Sequence, residues 1–180
     1  QGMARLQAAG IAVELAPDEI TARARELNIG FLRRMQQGLP WVRLKTASSL
    51  DGRVALDNGD SQWITGKAAR AEVQHWRARA CAVLTGIGTV LADDPLLNVR
   101  LPEATRQPHL VIVDTQLRTP LSAQLLQVAQ RRVLIASVAQ ADTGWQQRAV
   151  ALQQAGAELL QLPADPAGRP DLVALLRELG

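Results

Sequence analysis

The stretch from Trp41 to Arg100 decides the fold prediction. It begins Trp41-Val-Arg-Leu-Lys-Thr-Ala-Ser-Ser-Leu-Asp-Gly52 and continues with Gly59-Asp-Ser-Gln-Trp-Ile-Thr-Gly66. It ends Leu84-Thr-Gly-Ile-Gly-Thr-Val-Leu-Ala-Asp-Asp-Pro-Leu-Leu-Asn-Val-Arg100. Each piece joins an apolar run to a loop of Gly, Ser, Thr, Asp and a basic residue. Such loops at strand ends are typical of sites for small ligands that carry phosphate.

Strands and helices alternate outward from this stretch. Alternating apolar residues predict a first strand at 42–46, and helical spacing predicts a helix at 67–79 with Ala69, Val73 and Trp76 on its inner face. Further strands are predicted at 81–84, 110–113, 133–137 and 158–162, and further helices at 145–155 and 170–179. The alternation favours an α/β sandwich with a largely parallel central sheet.

Residues 1–37 are predicted to form an appendage to this domain. Pro17 and the acids after it indicate a helix start, and apolar spacing continues helically from Ile20 to Met35. Gly38-Leu39-Pro40 ends the pattern, because proline cannot continue a helix. We therefore predict a boundary at residue 40, with a main domain at 41–180.

Composition excludes several classes of protein. The 20 basic residues are interspersed with 17 acidic ones and aromatic residues are few, which disfavours a nucleic-acid partner. No apolar run approaches the ~20 residues that span a bilayer, and the amino terminus lacks a signal-peptide core, so we expect no membrane partner and a cytoplasmic location. With two histidines and one cysteine, Cys81, no metal site is expected.

The Gly86-Ile-Gly88-Thr89 stretch follows a predicted strand. Glycines there let backbone N–H groups approach a phosphate, but many such pairs form only a tight turn. Of the following acids, Asp94 precedes a proline and is interpreted as a turn residue. Asp93 either faces a ligand or belongs to the same loop architecture.

Other polar residues each have two interpretations. Arg77 and Arg100 suit a phosphate clamp, but arginine on a helix is also commonly solvated. Trp63 either fills the core or forms a wall against a ring, and Ser61 beside it could be a turn residue. Trp41, Trp76 and Trp145 are predicted to pack.

Asp51 and Lys45 lie near the predicted first strand. Asp51 is either an Asx-turn residue or a polar group near a reacting centre, and Lys45 is either solvated or close to the same centre. Neither histidine has a partner that would make a nucleophilic triad.

In combination, the phrases Ser-Leu-Asp-Gly-Arg, Ser-Gln-Trp-Ile-Thr and Thr-Val-Leu-Ala-Asp-Asp-Pro resemble the bifunctional riboflavin-biosynthesis deaminase/reductase family. Residues 41–180 resemble the first part of its reductase domain, which is similar to dihydrofolate reductase in fold. Residues 1–40 resemble the tail of its deaminase domain, notably in Phe31-Leu32-Arg33-Arg34-Met35. The zinc-binding motifs of the deaminase (His-Ala-Glu and Pro-Cys-x-x-Cys) are absent from the chain.

The resemblance implies NADPH-dependent reduction of 5-amino-6-(5-phosphoribosylamino)uracil to its 5-phosphoribitylamino product, by a homo-oligomer. Zinc would be needed only by the deaminase domain. Nucleotide-contacting positions of the family match Ala47, Trp63, Thr89, Asp93 and Thr115. Substrate-contacting positions match Ser61, Arg77, Leu97 and Arg100. Asp51 and Lys45 are the candidate catalytic residues. The alternatives are a monofunctional reductase of the dihydrofolate-reductase type and, from another class, a non-catalytic basic binding module.

Overall fold

The computed structural model describes residues 2–61 and 63–180. Gln1, where the predicted appendage begins, and Gln62, in the Ser-Gln-Trp stretch, lie outside the described residues. The chain divides into two compact units, one of residues up to 43 together with 176–180, and one of residues 44–175. The domain boundary expected at residue 40 stays a prediction.

The first unit is helical where the sequence predicted a helix. Its helices are α1 (Gly2–Ala8), α2 (Asp18–Leu27) and α3 (Ile29–Gln37). The single helix predicted across 20–35 is divided at Asn28, which leaves helical geometry with φ −106° and ψ 18°. Its side-chain amide donates to the carbonyl of Ala24 at 2.8 Å, and this bond caps α2. Gly38 ends α3 at a positive φ of 62°.

The second unit is built on a parallel sheet. Its strands are β1 (Ala82–Gly86), β2 (His109–Val113), β3 (Val133–Ser137) and β4 (Ala157–Gln161). The strands are ordered β1-β2-β3-β4 and every neighbouring pair is parallel. This confirms the predicted α/β class with a largely parallel sheet. All four carboxyl ends lie at one edge, where α/β proteins place their ligands.

The first strand predicted at 42–46 is wrong. Residues 39–49 have no regular secondary structure, and Leu44 is 85% exposed. A strand is stable only beside a hydrogen-bonded neighbour, and β1 pairs only with β2. The alternating pattern was read correctly, but the ladder that it requires does not form among the described residues.

Helices α4 (Lys67–Arg79), α5 (Ile87–Asp93), α6 (Thr143–Gln154) and α7 (Leu172–Glu178) complete the chain. The bounds of α4 are those predicted, whereas α5 was interpreted only as a turn and loop. No helix in the described part of the chain is long and apolar enough to cross a bilayer.

The core lies between the sheet and α6. Leu110, Ile112 and Ile135 are fully buried, and Leu152 and Trp145 of α6 pack in the same cluster. Burial of each such side chain contributes about 1.5–3 kcal/mol before the entropy cost of folding. Trp145 is a packing residue as predicted.

Two of the other tryptophans correct the sequence prediction. Trp41 and Trp76, predicted to pack, are 46% and 41% exposed. Trp76 donates through its indole N–H to the carboxylate of Glu72, one turn earlier on α4. The indole is therefore held on the helix surface by a local partner.

Candidate functional site

Helix α4 presents a polar face to the neighbouring loops. Its partly buried side chains are Arg70, Val73, Gln74, Arg77 and Ala78, whereas Ala69 and Trp76 are exposed. The predicted inner face was therefore wrong in phase, because three polar side chains occupy it at i, i+4 and i+7. Gly66 begins the helix without a side-chain cap.

Arg70 holds the loop that precedes α4. Its guanidinium carbon lies 4.3 Å from the centroid of the Trp63 ring, a cation–π geometry. The same guanidinium donates to the carbonyl of Thr65. Trp63 is 70% exposed, so the core interpretation of this residue is wrong. One face of the indole is covered by Arg70, and the side chain is otherwise open to a ligand ring.

The segment 96–100 is irregular, yet α4 fixes part of its backbone. Nη1 of Arg77 donates to the carbonyl of Asn98 at 2.7 Å. The carbonyl oxygen of the Gln74 side chain accepts the N–H of Arg100 at 3.0 Å. Two predicted substrate residues, Arg77 and Arg100, are thus brought to the same segment by one helix.

The side chain of Gln107 fixes the backbone of Val99, which lies between Asn98 and Arg100. Its side-chain oxygen accepts the N–H of Val99 at 2.7 Å, and its Nε2 donates to the carbonyl of Val99 at 3.1 Å. Val99 is buried, so these bonds satisfy groups that water cannot reach.

Arg131 holds the beginning of the segment. Its guanidinium donates to the carbonyls of Leu96 (2.9 Å), Leu97 (3.1 Å) and Leu125 (2.6 Å). Leu97 has a φ of 48°, the left-handed region that costs a residue with a side chain about 1–2 kcal/mol. Its side chain packs against the core cluster, which leaves the Leu97 backbone N–H as the group that a ligand could use.

Three arginines concentrate positive charge around this segment. Burial, followed by the charge of Arg100, lowers the pKa of Arg77. Burial, followed by the charge of Arg77, lowers the pKa of Arg131. No carboxylate among residues 2–61 and 63–180 lies within ion-pair distance of any of the three. Arginine remains cationic near neutral pH, so the cluster suits an anion, and bidentate arginine suits phosphate.

A second set of polar groups lies at the carboxyl edge of the sheet. Thr89 is in the first turn of α5, directly after β1, and Thr115 follows β2, the neighbouring parallel strand. A Cβ built at Gly86 or Gly88 meets nothing within 4 Å. The backbone of this turn is therefore open to close approach by a ligand.

Asp114 fixes the turn that carries Thr115. The fully buried carboxylate accepts the N–H and the hydroxyl of Thr119 through Oδ2, both at 2.8 Å. Its Oδ1 and the hydroxyl of Ser137, at the end of β3, are buried without a hydrogen-bond partner in the described chain.

The two neighbouring acids, Asp93 and Asp94, have different surroundings. Asp94, at the left-handed end of α5, accepts the N–H of Gln124 at 2.9 Å and its side-chain amide at 3.2 Å, as expected of a structural residue. Asp93 is exposed and makes no hydrogen bond or ion pair with the described residues. Its ligand role stays a prediction.

The remaining predicted site residues lie in the exposed segment 44–61. Asp51 accepts from the Ser49 hydroxyl and lies 3.6 Å from Nε of Arg53, in a local turn. Ala47 is half-buried, and Lys45 and Ser61 make no hydrogen bond or ion pair with the described residues. Among the described residues, the hydrogen bonds observed in this segment join its own residues rather than the arginine cluster, and these roles stay predictions.

Sequence reasoning missed three residues that shape the site. Arg131, Gln74 and Gln107 carry no local signal that distinguishes them from other polar residues. The backbone groups of segment 96–100 that they bind lie 8–35 positions away in the chain, which no local pattern encodes. In the described ranges, no group of three or more His, Cys, Asp or Glu side chains could hold a metal ion.

Comparison with known proteins supplies the family. The model of the RibD C-terminal domain family matches residues 40–180. The riboflavin biosynthesis protein RibD of Bacillus amyloliquefaciens is 40% identical over 180 residues, which are all of this chain and 47% of that protein. The chain thus spans about half the length of the curated relatives it matches.

Solved structures give the same result. Acinetobacter baumannii RibD, form 1, matches with a TM-score of 0.79 at 43% identity. The match covers 99% of this chain and 46% of the RibD chain. A Thermotoga maritima protein, a diaminohydroxyphosphoribosylaminopyrimidine deaminase/5-amino-6-(5-phosphoribosylamino)uracil reductase, has a TM-score of 0.69 at 28% identity. This match covers 89% of this chain and 49% of the Thermotoga maritima chain.

Proposed function

The chain belongs to the RibD C-terminal domain family, and on that premise we propose that it carries the NADPH-dependent reductase site of riboflavin biosynthesis. The reaction is reduction of the ribosyl group of 5-amino-6-(5-phosphoribosylamino)uracil to a ribityl chain. The observation that carries the proposal is the arginine-lined segment 96–100, which α4 joins to the open indole of Trp63.

The substrate's phosphate is assigned to the arginine end. Arg77 and Arg100 lie on either side of Asn98 and Val99, whose backbone is already fixed by side chains. Burial, followed by the charge of Arg100, lowers the pKa of Arg77, and a phosphate dianion placed there would offset both effects. The N–H of Leu97, which has no hydrogen-bond partner among the described residues, adds a neutral donor from the same segment.

The residues at the sheet edge fit a dinucleotide. The open backbone at Gly86 and Gly88 allows close approach, and the hydroxyls of Thr89 and Thr115 are donors of the kind that bind phosphate or ribose. Trp63 offers a flat apolar face to a nicotinamide ring. Along α4, the ten residue steps from Lys67 to Arg77 span about 15 Å, enough to separate the ring end from the phosphate end of an extended substrate.

NADPH, when bound, supplies a hydride to the sugar. The chain's own residues bind the two ligands, orient them and exclude water, and such positioning alone can provide several orders of magnitude in rate. Lys45 and Asp51 are proposed to balance the proton of the reduction. Asp51→Asn should then lower kcat without changing the binding of NADPH, and unchanged turnover in this variant would remove Asp51 from the mechanism.

The direct test is turnover of 5-amino-6-(5-phosphoribosylamino)uracil with NADPH, with the ribityl product identified by mass. We expect product with the wild-type protein, much less with Arg100→Met, and wild-type amounts with Arg79→Met, an exposed arginine on α4. Consumption of NADPH without formation of the ribityl product, or equal product from Arg100→Met, would refute the proposal.

Other parts of the expectation remain proposals of the same kind. Residues 1–40 are assigned to the tail of a deaminase domain, and the zinc-dependent deamination to a part of such proteins that this chain does not include. A homo-oligomer and a cytoplasmic location stay predictions. The matched relatives across the whole chain disfavour a dihydrofolate-reductase-type substrate and a basic binding module.

A further inference from the structure

We infer that Arg131 is a positioning residue for the substrate's phosphate, acting through the backbone of Leu96 and Leu97. The inference rests on the proposed function, because the segment that Arg131 holds carries Leu97 and Arg100. Arg131 matches none of the nucleotide or substrate positions assigned by resemblance to the family.

Two guanidinium groups together hold three consecutive carbonyls. Arg131 binds those of Leu96 and Leu97, and Arg77 binds the next, that of Asn98. With these carbonyls turned toward the arginines, the peptide units of the segment have a fixed orientation. These hydrogen bonds maintain the left-handed φ of Leu97, because a leucine without such constraints prefers a negative φ.

Arg131 also ties the segment to the core. Its bond to the carbonyl of Leu125 joins the segment to the turn at Gln124–Gln127, whose Leu125 is fully buried. A planar guanidinium can serve three carbonyls in fixed directions, whereas a lysine ammonium is a single point charge on a flexible stem. The geometry therefore requires arginine, and positive charge alone does not replace it.

Arg131 contributes electrostatically as well. Burial, followed by the charge of Arg77, lowers the pKa of Arg131, and its Nε is buried without a hydrogen-bond partner in the described chain. Unlike the adjacent Arg132, whose charge is paired with Glu158 at 2.5 Å, Arg131 has no acidic partner among the described residues. Its charge adds to the field that attracts an anion to Arg77 and Arg100.

The experiment compares Arg131→Met and Arg131→Lys with Arg132→Met as the matched neighbour. Amide hydrogen exchange at Val99 and Arg100 is measured without ligand, and binding of ribose 5-phosphate and of NADPH is measured by calorimetry. We expect amide exchange at Val99 and Arg100 to be faster in both Arg131 variants. The affinity for ribose 5-phosphate should fall roughly tenfold, because a network of charge-assisted hydrogen bonds is lost, and the affinity for NADPH should not change. Arg132→Met should change neither.

The outcomes separate this inference from the proposed function. Wild-type exchange in Arg131→Met, full binding in Arg131→Lys, or equal loss of ribose 5-phosphate and NADPH would each overturn the positioning role. If the wild-type protein binds NADPH but no ribose 5-phosphate, the phosphate assignment fails and the inference with it. If turnover fails while Arg131→Met still selectively weakens ribose 5-phosphate, the proposed reaction is wrong and the positioning role stands.

Discussion

Residues 96–100 and residues 44–61 both lack regular secondary structure and both carry proposed site residues, yet the protein holds them differently. In the first segment, side chains from α4, Gln107 and Arg131 bind backbone groups of every residue. In the second, the hydrogen bonds are local turns such as those between Ser49 and Arg53. Irregular backbone is preorganised where distant side chains satisfy its polar groups, and the bonds among the described residues meet this condition in segment 96–100 and not in segment 44–61.

The contrast bears on which site residues can be assigned roles. Hydrogen bonds to the backbone of segment 96–100 involve Arg77, Leu97 and Arg100, which supports the common substrate role that we propose. Lys45, Asp51 and Ser61 have only sequence resemblance behind them. Variants that remove the bonds to the backbone of segment 96–100 therefore test this comparison directly.

The largest effect is expected for Arg77→Met. The change removes a phosphate-binding charge and leaves the Asn98 carbonyl unpaired, and the two losses together should weaken ribose 5-phosphate by about 100-fold. Arg79→Met, near it on the exposed side of the same helix, is the control. Calorimetry that shows similar affinities for both variants would mean that the arginine cluster is not the phosphate site.

Gln107→Ala tests how much the held backbone contributes to stability. Two buried groups of Val99 lose their partners, so we expect a loss of about 2 kcal/mol in the free energy of unfolding. Gln146→Ala, an exposed glutamine on α6 with no side-chain bond among the described residues, should change it by less than about 0.5 kcal/mol. Equal denaturant midpoints for the two variants would contradict the claim that segment 96–100 is preorganised.

Arg70→Met should have a smaller effect, at the Trp63 end. Loss of the cation–π contact is worth about 0.5–1 kcal/mol, so NADPH affinity should fall roughly two- to fivefold. Binding of ribose 5-phosphate should not change, because Arg70 makes no contact with the segment 96–100. A variant that loses both ligands equally would show that Arg70 acts on α4 as a whole.

The smallest effect concerns the exposed pair of Arg132 and Glu158, outside both segments. Hydrogen bonding to Arg132 holds the pKa of Glu158 below its ordinary value of 4.5. A lowered folded-state pKa stabilises the fold above the unfolded value, and this contribution is lost as the pH falls through the folded-state value. The Tm of the wild-type protein should therefore fall slightly more than that of Glu158→Gln between about pH 7 and about pH 3. Parallel curves would show that the pair contributes nothing.

The sequence predicted the sheet well and the loops poorly, for a physical reason. β2 and β3 are largely apolar runs that a parallel sheet would bury, and α4 ends with two basic residues in its last turn, Arg77 and Arg79. The phase of α4 and the exposure of 42–46 depend on partners far away in the chain, so local spacing misjudged both. Arg77 and Arg100 were found through residue chemistry, whereas Arg131 required the observed contacts with Leu96, Leu97 and Leu125.

The most direct test of the account is a titration with NADPH and, separately, NADH, followed by tryptophan fluorescence in the wild-type protein and in Trp63→Phe. We expect saturable quenching that favours NADPH and that is largely lost in Trp63→Phe, because the proposed function places the exposed indole of Trp63 against the nicotinamide ring. Quenching that persists in Trp63→Phe, or that is the same for both nucleotides, would contradict the assignment of the NADPH site.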